Sequence, residues 1–217
     1  AEGFRAPTFN DLYYPDFCFP GGCIKQANPD LKSEKSKSYE LQWRSQLANT
    51  VALETSLYRT DIRNAIVLDE FYIPQNAPEV RINGFETSLQ HVFFGVQGAL
   101  SLSLVDARDR KTGHQLRRIA KRTLSYDLDK QLGAFGVGGT WRVASKSFDD
   151  AENDQKIAGF GTMDLRGSWQ ATQDLGVDLR LANIFDKGYT RALYDGKNGY
   201  REDRFTVLLG MTWTPNL

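Results

Sequence analysis

Apolar and polar residues alternate with a period of two along most of this chain, and this pattern limits its fold more than any other feature. In KSYELQWRSQL (37–47), Tyr39, Leu41 and Trp43 share one face, whereas every even-numbered position is polar. The closing segment 205–213 repeats the alternation, and helical periodicity is nowhere sustained. Since successive side chains of a strand point to opposite faces, the sequence predicts an all-β fold.

The alternation predicts about nine strands and the end of a further one. We expect them at residues 34–47, 50–68, 80–93, 95–108, 117–129, 132–146, 158–170, 175–185 and 201–213, with the additional end at 1–5. Several exceed the usual strand length of about 5–6 residues. Their lengths suit tilted strands that cross a membrane in about 9–11 residues and continue beyond it.

The connections between these strands alternate strictly between short and long. The short ones lie near residues 48–49, 94, 130 and 171–174, and the long ones span 6–33, 69–79, 109–116, 147–157 and 186–200. A soluble β-sandwich also has one apolar face per strand, but its Greek-key connections have no reason to follow this parity. The parity is typical of a transmembrane antiparallel up-and-down β-barrel, with short periplasmic turns and longer extracellular loops.

Three of the four tryptophans agree with this orientation. Trp43, Trp169 and Trp213 lie near the predicted periplasmic ends of their strands, where an interfacial aromatic girdle is expected. The alternative is that they are core aromatics of a soluble sheet.

The charge balance and the first residues limit the possible partners and context. Lys and Arg number 27 against 27 Asp and Glu, which argues against a nucleic-acid partner bound through bulk charge. The sequence contains no run of about 20 apolar residues, so no transmembrane helix is predicted. The chain opens AEGFRAPTFN, without an initiator Met or a secretory signal, so we expect it to be part of a longer protein.

Cys18 and Cys23 flank a Pro-Gly-Gly turn in FCFPGGCIK, which favours a small disulfide loop in an oxidising compartment. The alternative is unpaired or metal-binding thiols, although two ligands make a poor zinc site.

The histidines, His91 and His114, lie far apart in the sequence. The acidic run at 149–154 lacks the later Glu of an EF-type loop, so a solvated loop is favoured over a calcium site and no metal site is predicted.

Six strings of the sequence carry a resemblance to a known family: FRAPTFNDLYYP (4–15), NPDLKSEKSKSYE (28–40), RINGFET (81–87), VDARD (105–109), LRRIAKRTLSYDLD (116–129) and LANIFDKGYT (181–190). They resemble strings of the cobalamin (vitamin B12) receptors among the TonB-dependent outer-membrane transporters. The string at 181–190 resembles a hallmark of the whole superfamily, and those at 105–109 and 116–129 are closest to cobalamin receptors. Ser33 stands where the family usually has Pro.

The resemblance implies that residues 1–217 are the C-terminal part of a receptor barrel, with about nine to ten strands of a 22-stranded barrel. The plug domain and the earlier strands are absent from it. The implied place is the bacterial outer membrane, in contact with lipid and lipopolysaccharide. The implied function is active uptake of cobalamin, powered by the TonB–ExbB–ExbD complex through the plug, without a resident cofactor.

The end of the chain departs from the family pattern. Such barrels usually end on an aromatic residue, whereas four residues follow Trp213 here. Either Trp213 is the functional end with a short tail, or the terminus is unusual.

The resemblance also places an arginine against the ligand at the outer end of the strand after VDARD. By motif this residue is Arg117 or Arg118, because Ile119 adds one residue and blurs the register. A guanidinium offers a planar fork to amide and phosphate oxygens. Contact with lipopolysaccharide phosphate, or simple solvation, is an equal alternative. Aromatic residues of the outer loops are candidates to cover a large, partly apolar ligand: Tyr13, Tyr14, Phe17, Phe71, Tyr72, Tyr194 and Tyr200.

Other functions remain open. A siderophore or haem receptor of the same superfamily is the first alternative, and a passive porin, which an upstream plug would exclude, is the second. An outer-membrane enzyme would need a Ser-His or acid/base constellation, which the two histidines do not supply, so no catalysis is predicted.

Three residues carry structural expectations. Asn183 and Asp186 are expected to satisfy backbone amides where a strand leaves the sheet, and Gly84 indicates a bulge or a close approach to the backbone.

Overall fold

The computed structural model describes residues 1–69 and 71–215, without the side chains of residues 77 and 78. Within them the chain forms one short helix and sixteen strands. No helix of the described residues is long and apolar enough to cross a membrane. The elements are α1 (Phe9–Tyr13), β1 (Glu2–Arg5), β2 (Phe17–Phe19), β3 (Gly22–Ile24), β4 (Glu34–Ala48), β5 (Val51–Leu68), β6 (Pro74–Phe93), β7 (Val96–Asp109), β8 (Arg122–Leu132), β9 (Phe135–Ala144), β10 (Ser147–Phe148), β11 (Lys156–Ile157), β12 (Phe160–Gln170), β13 (Leu175–Ala182), β14 (Thr190–Leu193), β15 (Gly199–Arg201) and β16 (Thr206–Trp213).

Ten strands form one antiparallel sheet in which neighbours along the chain are neighbours in space. The order is β1-β4-β5-β6-β7-β8-β9-β12-β13-β16. β1 and β16 are its two edges and do not pair with each other in the described part of the chain, so the sheet is an open segment of a barrel. The prediction of about ten strands of an antiparallel up-and-down barrel is confirmed.

The alternation of shorter and longer connections is confirmed as well, although the connection between β5 and β6 (69–73) is only one residue longer than that between β12 and β13 (171–174). Two-residue turns join three of the strand pairs, and at one of them Phe94 and Gly95 both have positive φ angles (52° and 73°). This conformation matches the twist of a tight hairpin. The six short strands outside the main sheet pair within the long connections, as β2–β3, β10–β11 and β14–β15.

The loop expected at 69–79 is the largest error in the predicted boundaries, because β6 already begins at Pro74. Pro74 is the first residue of its strand, where a proline is tolerated. The returning end of the 6–33 connection supports this extension: Asn28 Nδ2 donates to Pro74 O (3.0 Å), and Lys32 N donates to Asn76 Oδ1 (2.7 Å).

Four other strands begin or end three or more residues inside the predicted bounds. The strand expected at 117–129 begins at Arg122, the one expected at 132–146 begins at Phe135, the one expected at 175–185 ends at Ala182, and the one expected at 201–213 begins at Thr206. Left-handed backbone lies near two of these ends, at Arg118 (φ 59°) and Asn183 (φ 51°), and this conformation interrupts the regular extended chain of a strand.

The outward face of the sheet is apolar and uncovered. Leu41 and Leu209 are 70% and 71% exposed, and the buried hydrophobic residues of the described chain are few: Ala65, Val80, Ala107, Ile157 and Leu193. A soluble sandwich would cover such a face with a second layer. The outward face therefore suits contact with lipid.

The tryptophans follow the predicted arrangement. Trp213 is the last residue of β16, Trp169 is the last but one of β12, and Trp43 lies in the half of β4 nearer its short turn. Phe135 stacks on Trp169 at 6.0 Å between ring centroids. Thr214 and Pro215 follow β16, while Asn216 and Leu217 of the expected tail lie outside the described residues.

Gly84 lies directly beneath the ring of Tyr58, which an added Cβ would overlap. The prediction of a close approach is confirmed, although a side chain makes it. The alternative of a bulge is wrong, since Tyr58 and Gly84 remain in register.

Candidate ligand-binding surface

The concave face of the sheet is polar and encloses a space of about 900 Å³. Alternate side chains of β4 to β8 point into it, most of them hydroxyls or carboxylates. A hydroxyl both donates and accepts hydrogen bonds, so this wall suits a polar partner. The polar lining includes Ser38, Glu40, Glu54, Ser56, Thr60, Glu86, Ser88, Ser101, Ser103, Thr123 and Ser125.

An ion pair between Arg118 and Asp149 lies at the long-loop end of this space. Arg118 Nε donates to Asp149 Oδ1 (2.6 Å) and Arg118 Nη2 donates to Asp149 Oδ2 (3.3 Å), so the ion pair is bidentate. Asp149 is only 5% exposed. Its Oδ1 also accepts from Leu193 N (3.1 Å), and Arg118 Nη2 reaches Leu193 O (3.5 Å). One carboxylate therefore joins three long connections, which we call the three-loop cluster: residues 110–121, 145–159 and 183–205.

The electrostatics of this pair follow from its contacts. Burial raises the pKa of Asp149, but the hydrogen bonds from Arg118 and Leu193 and the charge of Arg118 outweigh it, so the pKa lies below its usual range. The hydrogen bond to Asp149 raises the pKa of Arg118. Both groups are therefore charged at neutral pH.

Arg117 makes a weaker contribution to the same cluster. Its Nε donates to the backbone oxygen of Asp149 (2.6 Å), and its Nη1 lies 3.4 Å from Leu68 O. Of the two arginines expected at a ligand, Arg118 lines the concave space and Arg117 does not. No hydrogen bond from Arg118 Nη1 occurs in the described part of the chain, so two of its five N–H groups are available to another molecule.

The cluster contributes a second cationic group to the concave space, Arg191, which the sequence reasoning missed. Phe160 stacks on Tyr189 at 4.0 Å, and the Arg191 guanidinium lies 5.6 Å and 5.8 Å from the two ring centroids. Glu202 lies 3.4 Å from Arg191 Nε. Tyr189 belongs to the LANIFDKGYT string, so the family resemblance pointed to its neighbourhood. No motif or pattern in the sequence identified Arg191 as a candidate site residue.

The aromatic residues expected to cover a ligand are all exposed, but most do not come together. Tyr194 and Tyr200 form an edge-to-face pair at 5.4 Å. Phe17 instead lies near Phe19 on a separate hairpin, with the two rings tilted and their centroids 6.4 Å apart. The exposed set comprises Tyr13, Tyr14, Phe17, Phe71, Tyr72, Tyr194 and Tyr200.

That hairpin is the one formed by β2 and β3. A disulfide joins Cys18 and Cys23, which face each other across the two strands. In the part of the chain that the structure describes, residues 17–24 make no hydrogen bond to another loop.

Carboxylates of the acidic run at 149–154 accept hydrogen bonds that hold the loops together. Asp149 pairs with Arg118, and Asp150 accepts from the backbone N–H groups of Asp154 (3.1 Å) and Gln155 (3.0 Å). His114 Nδ1 lies 3.0 Å from Ala151 O. Residues 1–69 and 71–215 contain no group of three or more His, Cys, Asp or Glu side chains that could hold a metal ion.

The structural roles expected for Asn183 and Asp186 are confirmed. Asn183 is buried; its Oδ1 accepts from Lys187 N (3.0 Å), and its Nδ2 donates to Lys187 O (2.9 Å). Asp186 accepts from Arg204 Nε (2.7 Å) and Phe205 N (3.0 Å). These hydrogen bonds, Arg204 first, lower the pKa of Asp186 to about 2. The string therefore closes the last long loop onto the start of β16.

Comparison with curated proteins shows two similar relatives. The chain is 31% identical over 198 residues to "Vitamin B12 transporter BtuB" of Photobacterium profundum, a match of 86% of this chain and 30% of the relative. It is 29% identical over 204 residues to the protein of the same name from Vibrio vulnificus, a match of 91% and 31%. The chain thus spans about a third of the length of these relatives.

Solved structures share the fold. The copper transporter OprC superimposes with a TM-score of 0.79 at 20% identity, over 98% of this chain and 35% of that one. The siderophore receptor PirA of Acinetobacter baumannii does so with a TM-score of 0.77 at 17% identity, over 98% and 38%. A family model described as TonB dependent receptor-like, beta-barrel matches residues 1–184. The chain therefore belongs to the TonB-dependent receptor β-barrel family of outer-membrane proteins.

Proposed function

We propose that this chain is the C-terminal part of the barrel of an active transporter for cobalamin, and that the plug domain and the earlier strands lie upstream of it. The match to two vitamin B12 transporters over 86% and 91% of this chain carries the proposal. The ten strands would be completed to about 22 by the upstream part, and the plug would fill the lumen.

The part of the concave face next to the three-loop cluster offers groups that could bind cobalamin. Arg118 and Arg191 line the space next to hydroxyl-bearing strands. Cobalamin is large and carries amide and phosphate oxygens, which guanidinium groups bind well. We infer that Arg118 Nη1 donates to such an oxygen, while its Nε and Nη2 remain on Asp149, and that Arg117 acts by supporting the same loops.

The energy for release would come from outside this chain. In this proposal the upstream plug contacts the TonB–ExbB–ExbD complex, while the present strands hold the extracellular loops in place. The relatives that the chain matches are named transporters and receptors, not enzymes.

The test is ligand binding by the full-length protein, with cyanocobalamin and a ferric siderophore as the two probes. We expect Arg118→Ala to weaken cyanocobalamin binding about tenfold or more, because a hydrogen bond to a charged group contributes about 1.5–3 kcal/mol. Arg110→Ala is the matched control, since Arg110 is an exposed residue of the same loop. Its affinity should stay within about twofold of the unchanged protein.

Two results would count against parts of the proposal. Binding of the iron chelate with no response to cyanocobalamin would replace cobalamin by a siderophore. Combining Arg118→Ala with Asp149→Ala separates direct contact from loop order: if Arg118→Ala causes no further loss of binding in a protein that already carries Asp149→Ala, Arg118 acts only through the cluster.

A further inference from the structure

An apolar groove of about 750 Å³ runs along the outward face of the sheet, across β8, β9 and β12. Tyr126 and Leu128 form one side, and Met163 and Leu165 form the other. Trp141 lies toward the long-loop end. Because this face has no protein cover in the described chain, the groove opens toward the membrane.

A glycine keeps the groove open. Gly139 pairs with Leu128 on β8 and with Leu165 on β12, so it lies between two leucines on the same face. An added Cβ at Gly139 would be 3.4 Å from both Asp164 O and Leu165 Cδ2, which is ordinary contact. A larger residue would therefore fit sterically at this point and would fill the groove.

A lysine lies at the short-turn end of the groove. Lys130 shares the face of Tyr126 and Leu128 and is half-buried. Within the described residues its ammonium has no hydrogen bond or ion pair. The stacked pair Phe135 and Trp169 lies near the same short-turn ends, and such aromatic pairs mark the interface between hydrocarbon and headgroups. Lys130 thus places an unpaired positive charge near headgroup level.

We infer that the groove binds one acyl chain of a phospholipid from the periplasmic leaflet, with the lipid phosphate on the Lys130 ammonium. The lining is apolar along its length, and the single cation at its end complements the charge of a phosphodiester. Lys130 and Tyr126 lie roughly 13 Å apart along the strand, at about 3.3 Å per residue. At a tilt of roughly 40° this is about 10 Å along the membrane normal, which fits within one leaflet of a hydrocarbon core of about 30 Å. The inference rests on the outer-membrane placement and not on the identity of the transported ligand.

The groove is tested by filling it. The full-length protein in mild detergent would be titrated with phosphatidylglycerol and its bound lipids counted by native mass spectrometry. We expect Gly139→Leu to lose one tightly held lipid. Gly161→Leu is the matched control: Gly161 shares the outward face with Met163 and Leu165 but does not line the groove, and its added Cβ would make only ordinary contacts (3.8 Å). This variant should keep the lipid.

The charge is tested separately with Lys130→Gln, which removes the charge and keeps most of the side chain. We expect its affinity for phosphatidylglycerol to fall about tenfold, while inorganic phosphate at millimolar concentration does not compete for the site. Equal lipid counts in the unchanged protein and Gly139→Leu would overturn the inference, as would retention of lipopolysaccharide in place of phospholipid. Cyanocobalamin binding and circular dichroism report on folding and on the transport proposal, and both should be unchanged in all three variants.

Discussion

Two regions of the extracellular side are ordered in different ways. The β2–β3 hairpin is closed by the bond between Cys18 and Cys23 and makes no hydrogen bond to another loop within the described chain. The three-loop cluster has no covalent link in the described residues. Its loops share the buried carboxylate of Asp149, and hydrogen bonds between Asn153 and Gln115 add to the contact between two of them. The hairpin can therefore keep its shape while it moves as a whole, whereas each loop of the cluster is ordered only if the other two are.

The largest expected effect comes from Asp149→Ala. It leaves the Leu193 N–H and the Arg118 guanidinium without their partner, which costs about 1–3 kcal/mol. We expect hydrogen–deuterium exchange to rise roughly 30-fold in all three loops at once, as for a cooperative unit that opens about 2 kcal/mol more easily. The measurement is exchange followed by mass spectrometry on the full-length protein.

Asp154→Ala is the control for that experiment, because Asp154 is in the same loop and its side chain makes no hydrogen bond in the described residues. It should leave exchange nearly unchanged. A rise confined to residues 145–159 in the Asp149 variant would show that the loops are ordered independently.

Acid should weaken the cluster by a smaller amount. The pKa of Asp149 is lowered in the folded protein, so its stabilisation is complete above the ordinary aspartate pKa of about 3.9 and is lost as the pH falls through the lowered value. After correction for intrinsic exchange, protection should be constant from about pH 7 to 5 and should decline below about pH 4. The protonated carboxyl still accepts a hydrogen bond from Leu193, which limits the loss.

Asp149→Asn should remove this dependence on pH. Loosening between pH 7 and 5, where Asp149 keeps its charge, would contradict this prediction.

The smallest effect should follow from replacing both cysteines of the hairpin with serine. A two-stranded hairpin of this size is marginal on its own, so residues 17–24 should exchange faster, by less than about tenfold. Exchange in the three-loop cluster should not change. A change there would show that the hairpin and the cluster are coupled, and the contrast between the two regions would fail.

The main sheet could be predicted because its pattern is local. Alternation and loop parity depend only on neighbouring residues, and they located most of the strands and short connections. The turn expected near residue 130 is an exception, because it lies at 133–134 and Lys130 belongs to β8. The extension of β6 could not be predicted in this way. Its first residues include two prolines and an asparagine, which usually indicate a loop. The contacts from Asn28 and Lys32 that hold it come from more than 40 residues away along the chain.

The candidate site was predictable only in part. Motif comparison selected Arg117 and Arg118, but it placed them on a strand. The left-handed backbone of Arg118 and its pairing with Asp149, 31 residues later, show why the strand starts at Arg122 instead. Arg191 gave no signal, because its position over Phe160 arises from the folding of a loop onto β12.

The length of β6 has a consequence for what the protein presents to its surroundings. The strand contains 20 residues, and about 10 suffice to cross the hydrocarbon. At about 3.3 Å per residue and a tilt of roughly 40°, the remaining half rises about 25 Å further. The β5–β6 hairpin is thus a rigid extension above the membrane, and it carries the exposed Phe71 and Tyr72 at its tip, far from the lipid.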